Sequence, residues 1–153
     1  QPTHATSDMY WVEERLGPER VEGAYAWRSL LDRGARLAFG SDFPVEQVDP
    51  LLGFYAAVTR QDAERYPEGG WHPEERVTRH EALRGFTLDA AYAAFQEDDL
   101  GSLEPGKLAD FVVLSRDVMR VRPAEILETE VIATYLGGEP VYVREAGEAP
   151  ARR

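Results

Sequence analysis

The chain has 153 residues, 43% of them hydrophobic, which is enough for one domain with a core of its own. Its formal net charge of −11 argues against a nucleic-acid partner, which would need a basic face. There is no apolar run of the roughly 20 residues that cross a membrane and no secretory signal pattern, and the absence of cysteine excludes disulfides, thiolate metal sites and a Cys nucleophile.

The cysteine-free composition fits a cytoplasmic protein. Lys107 is the sole lysine among many arginines, and alanine is abundant, which suggests a bacterial source. Residues 1–6 show no periodicity and read as loop. Ser7 or Asp8 is placed to cap a short helix running through residue 16, stopped by Gly17-Pro18. A second helix is expected over residues 19–33, where Val21, Ala24, Tyr25, Trp27, Leu30 and Leu31 recur at three- and four-residue spacing, with Gly34 as its C-terminal glycine.

Residues 37–42 form a short apolar run that ends in Gly40-Ser41-Asp42, and Pro44 forbids helical continuation. The run reads as a buried strand that delivers the Asp42 carboxylate to its C-terminal end, where ligands bind in parallel α/β architectures. The alternative is an Asp that caps or braces a turn.

Asp49-Pro50 opens the next helix, with Leu51, Leu52, Phe54, Tyr55 and Val58 on its apolar side. Residues 61–75 lose periodicity and read as a long, functional or lid-like loop. Thr78 and Glu81 form a capping box that starts a helix ending at residue 85 or 86, and a further helix covers residues 88–96. Beyond Asp98-Asp99, residues 101–107 are turn chemistry and 109–114 a β-branched and aromatic run. Residues 123–128 make one helical turn. Residues 131–136 and 141–143 read as strands joined by the hairpin signal Gly137-Gly138, and 145–153 as a disordered tail.

One strand cannot bury four helices, and a hairpin without a third strand is not stable alone. With Gln1 rather than Met at its start, the chain reads as the C-terminal part of a larger protein.

Four stretches carry a resemblance: Gln1-Pro2-Thr3-His4-Ala5-Thr6-Ser7-Asp8; Gly40-Ser41-Asp42-Phe43-Pro44-Val45; Glu81-Ala82-Leu83 with Thr87 and Ala90-Ala91; and Gly101-Ser102-Leu103-Glu104-Pro105-Gly106-Lys107-Leu108-Ala109-Asp110-Phe111. In this order and spacing the chain resembles the C-terminal end of the amidohydrolase superfamily, in its family-3 or YtcJ-like branch. The resemblance implies an α/β fold: the last one to two βα units of a (β/α)8 metal-dependent hydrolase barrel over residues 1–100, then the C-terminal strands of a small β-sandwich over 101–144. It implies hydrolysis of C–N bonds in small-molecule amides or cyclic amides by a water activated on a divalent metal, zinc by expectation.

Asp42 then takes two roles, metal-site carboxylate and proton shuttle. His4 becomes a substrate-binding candidate; the bland reading is a loop His bonded to backbone. The family's other metal ligands have no counterpart here, and one carboxylate does not hold a zinc that takes three protein ligands plus water. The chain alone is therefore expected to be inactive and to bind no metal tightly.

Other polar residues have plainer readings. Asp8 is a helix cap, His72 with Trp71 an exposed surface pair, and His80 a solvated residue. Arg60 is a cation suited to a helix C-terminus, Lys107 a turn brace on carbonyls or an acidic neighbour, and Trp27, Tyr25 and Phe54 are core. A rival function is a non-catalytic module that associates through exposed sheet edges, as a homo-oligomer or with a partner.

Overall fold

The computed structural model describes residues 1–145, so the expected tail lies outside the described residues except for Glu145. Helices α1 (Pro2–Asp8), α2 (Val12–Leu16), α3 (Pro18–Val21) and α4 (Trp27–Asp32) precede an extended stretch. Helix α5 (Pro50–Thr59), a 3-10 turn (Pro73–Glu75), α6 (Arg79–Phe86) and α7 (Leu88–Ala93) follow it. Strand β1 (Phe111–Leu114), helix α8 (Pro123–Ile126) and strands β2 (Val131–Leu136) and β3 (Glu139–Val143) complete a small α/β fragment.

Helix α5 is the hub, packed against α1, α6 and α8. Its start follows the Asp49-Pro50 expectation, with the Asp49 carboxylate accepting from the Leu51 N–H at 2.9 Å. Gly53 lets α5 meet the Phe86 ring, because a Cβ there would lie 2.7 Å from Phe86 Cζ. Phe54, Tyr55 and Ala57 of α5 join Ala5, Met9, Val12, Trp27, Trp71, Val77, Ala82 and Ile126 in one core.

Several expectations are corrected. Residues 1–6 are not loop: Pro2 opens α1 at its first turn, and Pro2, Thr3, Ala5 and Thr6 are buried. Ser7 and Asp8 do not cap the next helix, since they end α1 and α2 begins without a side-chain cap. The single helix expected over 19–33 is broken at Tyr25, which sits at φ 52. Its carbonyl is taken by Arg60 Nη1 at 2.9 Å, and its hydroxyl donates to Asp8, so tertiary partners override helical spacing.

Finally, residues 37–42 run extended but form no strand. Leu37 and Phe39 are only half-buried, and Phe39 N donates to the Gly85 carbonyl at 2.9 Å where a ladder would need a neighbouring strand. Gly85 permits that approach, because a Cβ there would lie 2.6 Å from Phe39 Cδ2.

In the sheet, the hairpin has the third strand that the sequence reading denied it. The order is β1-β2-β3, antiparallel throughout, with Phe111 opposite Tyr135 and Ala133 opposite Val143. Gly137 and Gly138 turn the hairpin at φ 58 and 85, the positive angles that a type I′ turn demands.

Candidate active site

Helix α1 and the stretch 40–42 come together at one place. Burial of Thr3, Ala5 and Thr6 fixes the roll of α1, and His4 projects from it half-buried, its side chain 27% exposed. On the other side Asp42 adopts the left-handed conformation at φ 56, and its carbonyl accepts from Val45 N at 2.8 Å as the chain turns away. Ser7 Oγ donates to Glu46 Oε1 at 2.6 Å and ties that turn back onto α1.

His4 Nε2 lies 3.4 Å from Asp42 Oδ2 and has no hydrogen-bond partner. The Asp42 side chain is half exposed, so its carboxylate opens to solvent while the His4 Nε2 beside it is buried. A carboxylate so placed can accept a proton.

The donor set is too small for a metal centre. Among the described residues, no group of three or more His, Cys, Asp or Glu side chains converges. His4 and Asp42 make two donors, fewer than the three protein ligands of a catalytic zinc.

The other candidates lie elsewhere. His72 Nδ1 is 3.0 Å from Glu74 and its Nε2 3.9 Å from Glu13. Trp71 is buried rather than paired on the surface, its Nε1 donating to Glu13 Oε1 at 3.0 Å. His80 is exposed as expected. Lys107 is the expected brace: Nζ donates to the carbonyls of Glu97 at 2.6 Å and Leu100 at 3.1 Å, with Glu104 at 3.6 Å. Asp8 accepts from Tyr25 OH instead of capping a helix.

Two features escaped the sequence reading. Arg60 does end α5, as expected, but it is fully buried between two indoles. Thr3 is buried with an Oγ1 that finds no partner. Neither carries a local signal, since each depends on what a distant segment leaves around it.

Comparison with known proteins follows the same lines. Residues 1–142 match the profile of the amidohydrolase family. The chain is 37% identical over 142 residues to YtcJ of Bacillus subtilis, an amidohydrolase by name, covering 93% of this chain and 27% of that protein. It is 42% identical over 143 residues to LONG AFTER FAR-RED 3 of Arabidopsis thaliana, covering 93% and 24%. With N-substituted formamide deformylase of Arthrobacter pascens it shares 37% identity over 117 residues, covering 76% and 21%. Among solved structures, an uncharacterized metal-dependent hydrolase from Pyrococcus horikoshii superposes with a TM-score of 0.70 at 33% identity, covering 80% of this chain and 25% of that one. The chain thus spans about a quarter of the length of the relatives it matches. Its profile match and its identity to these relatives run through the segments that bring His4 to Asp42, and the chain belongs to the amidohydrolase family.

Proposed function

We propose that this chain is the C-terminal portion of a metal-dependent hydrolase that cleaves C–N bonds of small amides or cyclic amides. Asp42 is its proton shuttle and metal-site carboxylate, and His4 is a substrate-binding residue. The observation that carries this reading is the approach of His4 Nε2 to the exposed Asp42 carboxylate at 3.4 Å. The family match and the name of the formamide deformylase relative support the bond type.

In this reading the Asp42 carboxylate accepts a proton from the attacking water as the O–C bond forms, and delivers it to the nitrogen as the C–N bond breaks. Amide and water become carboxylic acid and amine. His4 flanks Asp42 and helps hold the substrate in place. The further ligands of a divalent metal, zinc by the chemistry the family implies, come from segments other than residues 1–145, so the isolated chain is inactive. Residues 1–100 belong to the barrel and 101–144 to the small β-domain. A bacterial, cytoplasmic setting is supported by the arginine-rich, cysteine-free composition. No described helix is long and apolar enough to cross a membrane.

The test is Asp42→Asn in the full-length protein that carries this chain. The amide is isosteric but does not take up a proton, so turnover of amide substrates should fall by about 10²–10⁴-fold while the thermal unfolding midpoint stays put. Turnover within a few-fold of wild type would remove Asp42 from the chemistry.

A second reading is favoured by β3, all five residues of which are exposed: the chain self-associates through its sheet edges.

A further inference from the structure

Helix α1 and the turn after Asp42 meet at two points, about one helical turn apart. His4 faces Asp42, with Nε2 3.4 Å from Oδ2, and Ser7, further along the same face, donates from Oγ to Glu46 Oε1 at 2.6 Å. A hydroxyl on a carboxylate at that distance makes a charge-assisted bond, one of the stronger kinds. Ser7 Oγ also lies 3.3 Å from the His4 carbonyl. Its single proton serves one acceptor at a time, and the nearer, charged one takes it.

Apolar burial does not hold this turn in place. Phe43, Val45 and Val48 are 64%, 72% and 65% exposed, so the turn has little packing to fix it against α1. Its own bonds, from Val45 N to the Asp42 carbonyl and from Phe43 N to Ser41 Oγ, shape the turn without tying it to the helix. Asp42 itself is left-handed at φ 56, a conformation that persists in a residue other than glycine only where its surroundings over-determine it. What crosses from the turn to α1 is the Ser7–Glu46 bond.

We propose that Ser7 and Glu46 are positioning residues: their bond holds the turn on α1 and so sets the approach of the Asp42 carboxylate to His4. Both act through Asp42. Handing a proton to a leaving nitrogen depends on alignment, and a misplacement of about 1 Å costs up to about 100-fold in rate. For this consequence in catalysis the inference rests on the reading of Asp42 as proton shuttle; the placement of the turn does not.

The experiment reads the approach directly, as nuclear Overhauser cross-peaks between the His4 ring protons and the Asp42 β protons in the ¹³C,¹⁵N-labelled 153-residue chain. Wild type should show them. Ser7→Ala, at an exposed helical position that alanine suits, should lose them while the thermal unfolding midpoint stays put. Glu46→Ala should lose them too, although it leaves Ser7 free to bond the His4 carbonyl. Ser7→Thr keeps a hydroxyl and Glu46→Gln keeps an acceptor oxygen, so both should retain them.

Cross-peaks kept in Ser7→Ala or Glu46→Ala overturn the proposal. So does their absence from wild type, or their loss in Ser7→Thr and Glu46→Gln. In the full-length protein, on the amide turned over in the Asp42→Asn test, Ser7→Ala should lower kcat about tenfold with KM unchanged, and Ser7→Thr should restore it. An unchanged kcat overturns the positioning role. The two readings fail separately: an active Asp42→Asn enzyme removes the shuttle and leaves the cross-peaks as they are, whereas cross-peaks indifferent to Ser7→Ala leave the Asp42 assignment standing.

Discussion

A guanidinium buried as fully as that of Arg60 destabilises a fold unless its donors find acceptors. Arg60 Nε donates to the Trp71 carbonyl at 2.8 Å and Nη1 to the Tyr25 carbonyl at 2.9 Å, Nη2 is buried without an acceptor, and the Trp27 and Trp71 rings lie 4.4 and 4.9 Å from its central carbon. Burial brings its pKa down to about 10 against the opposing field of Glu75 and Glu74, which leaves it charged at neutral pH. The residue therefore joins the end of α5, the break at Tyr25 and the end of the long loop at Trp71. Lysine keeps the charge but loses the planar fork and its stacking. Arg60→Lys should thus destabilise the chain by about 2–3 kcal/mol, read from the urea midpoint at constant slope. An unchanged midpoint would mean that the two carbonyls find other donors and that the indole sandwich contributes little.

Helices α4 and α6 are joined by a single carboxylate. Arg28 grips Glu81 with two parallel N–H···O bonds of 2.8 Å, and the same carboxylate accepts from Thr78 N at 2.7 Å to complete the capping box of α6. The Arg28 bonds, with the Thr78 donors adding, hold the Glu81 carboxyl down at about 2, against an ordinary value of 4.5. A carboxyl whose folded pKa is depressed stabilises the fold at pH above 4.5, and that contribution is lost as pH falls towards 2. Glu81 is 31% exposed and partly screened, so the loss is on the order of 1 kcal/mol. Urea unfolding at about pH 5 and about pH 2.5 should show wild type losing more stability than Glu81→Gln over that interval. Equal losses would place the acid sensitivity elsewhere.

The same comparison of elements separates what was legible in the sequence from what was not. Helices α5 and α6, the glycine after α4 and the β2–β3 hairpin were readable, because Asp49-Pro50, Thr78 with Glu81, Gly34 and Gly137-Gly138 act within a few residues of themselves. Helix α1 was missed because its buried side is Pro2, Thr3, Ala5 and Thr6, small residues that carry no apolar period. The break at Tyr25 is made by Arg60, 35 residues further on. Residues 37–42 read as a strand by pattern, yet a ladder needs a neighbour, and among the described residues none lies alongside. At the site, Asp42 could be read as a carboxylate ending an extended run. Its approach to His4 follows from how α1 docks on α5.

At the scale of the whole molecule, apolar surface remains uncovered. Val141 and Val143 of β3 are 57% and 56% exposed, Val112 and Val113 of β1 are 52% and 42%, and Phe43, Val45 and Val48 project from the loop after Asp42. The two sheet edges are not equivalent. Pro140 removes a donor from β3, whereas β1 holds no proline and offers the better template for pairing. Against association stands a net charge of −11, whose repulsion reaches about 10 Å at 0.1 M salt and shortens as salt is added. If β1 edges pair, the mass of the isolated chain measured by light scattering should rise with both protein and salt concentration. Val113→Lys, a charge on that edge, should return it to the monomer. A compact monomer under all these conditions would end the self-association reading and leave the catalytic one untouched, because the latter concerns the whole protein. Association that ignores Val113→Lys would instead place the contact on the β3 edge or on the Phe43, Val45 and Val48 patch next to Asp42.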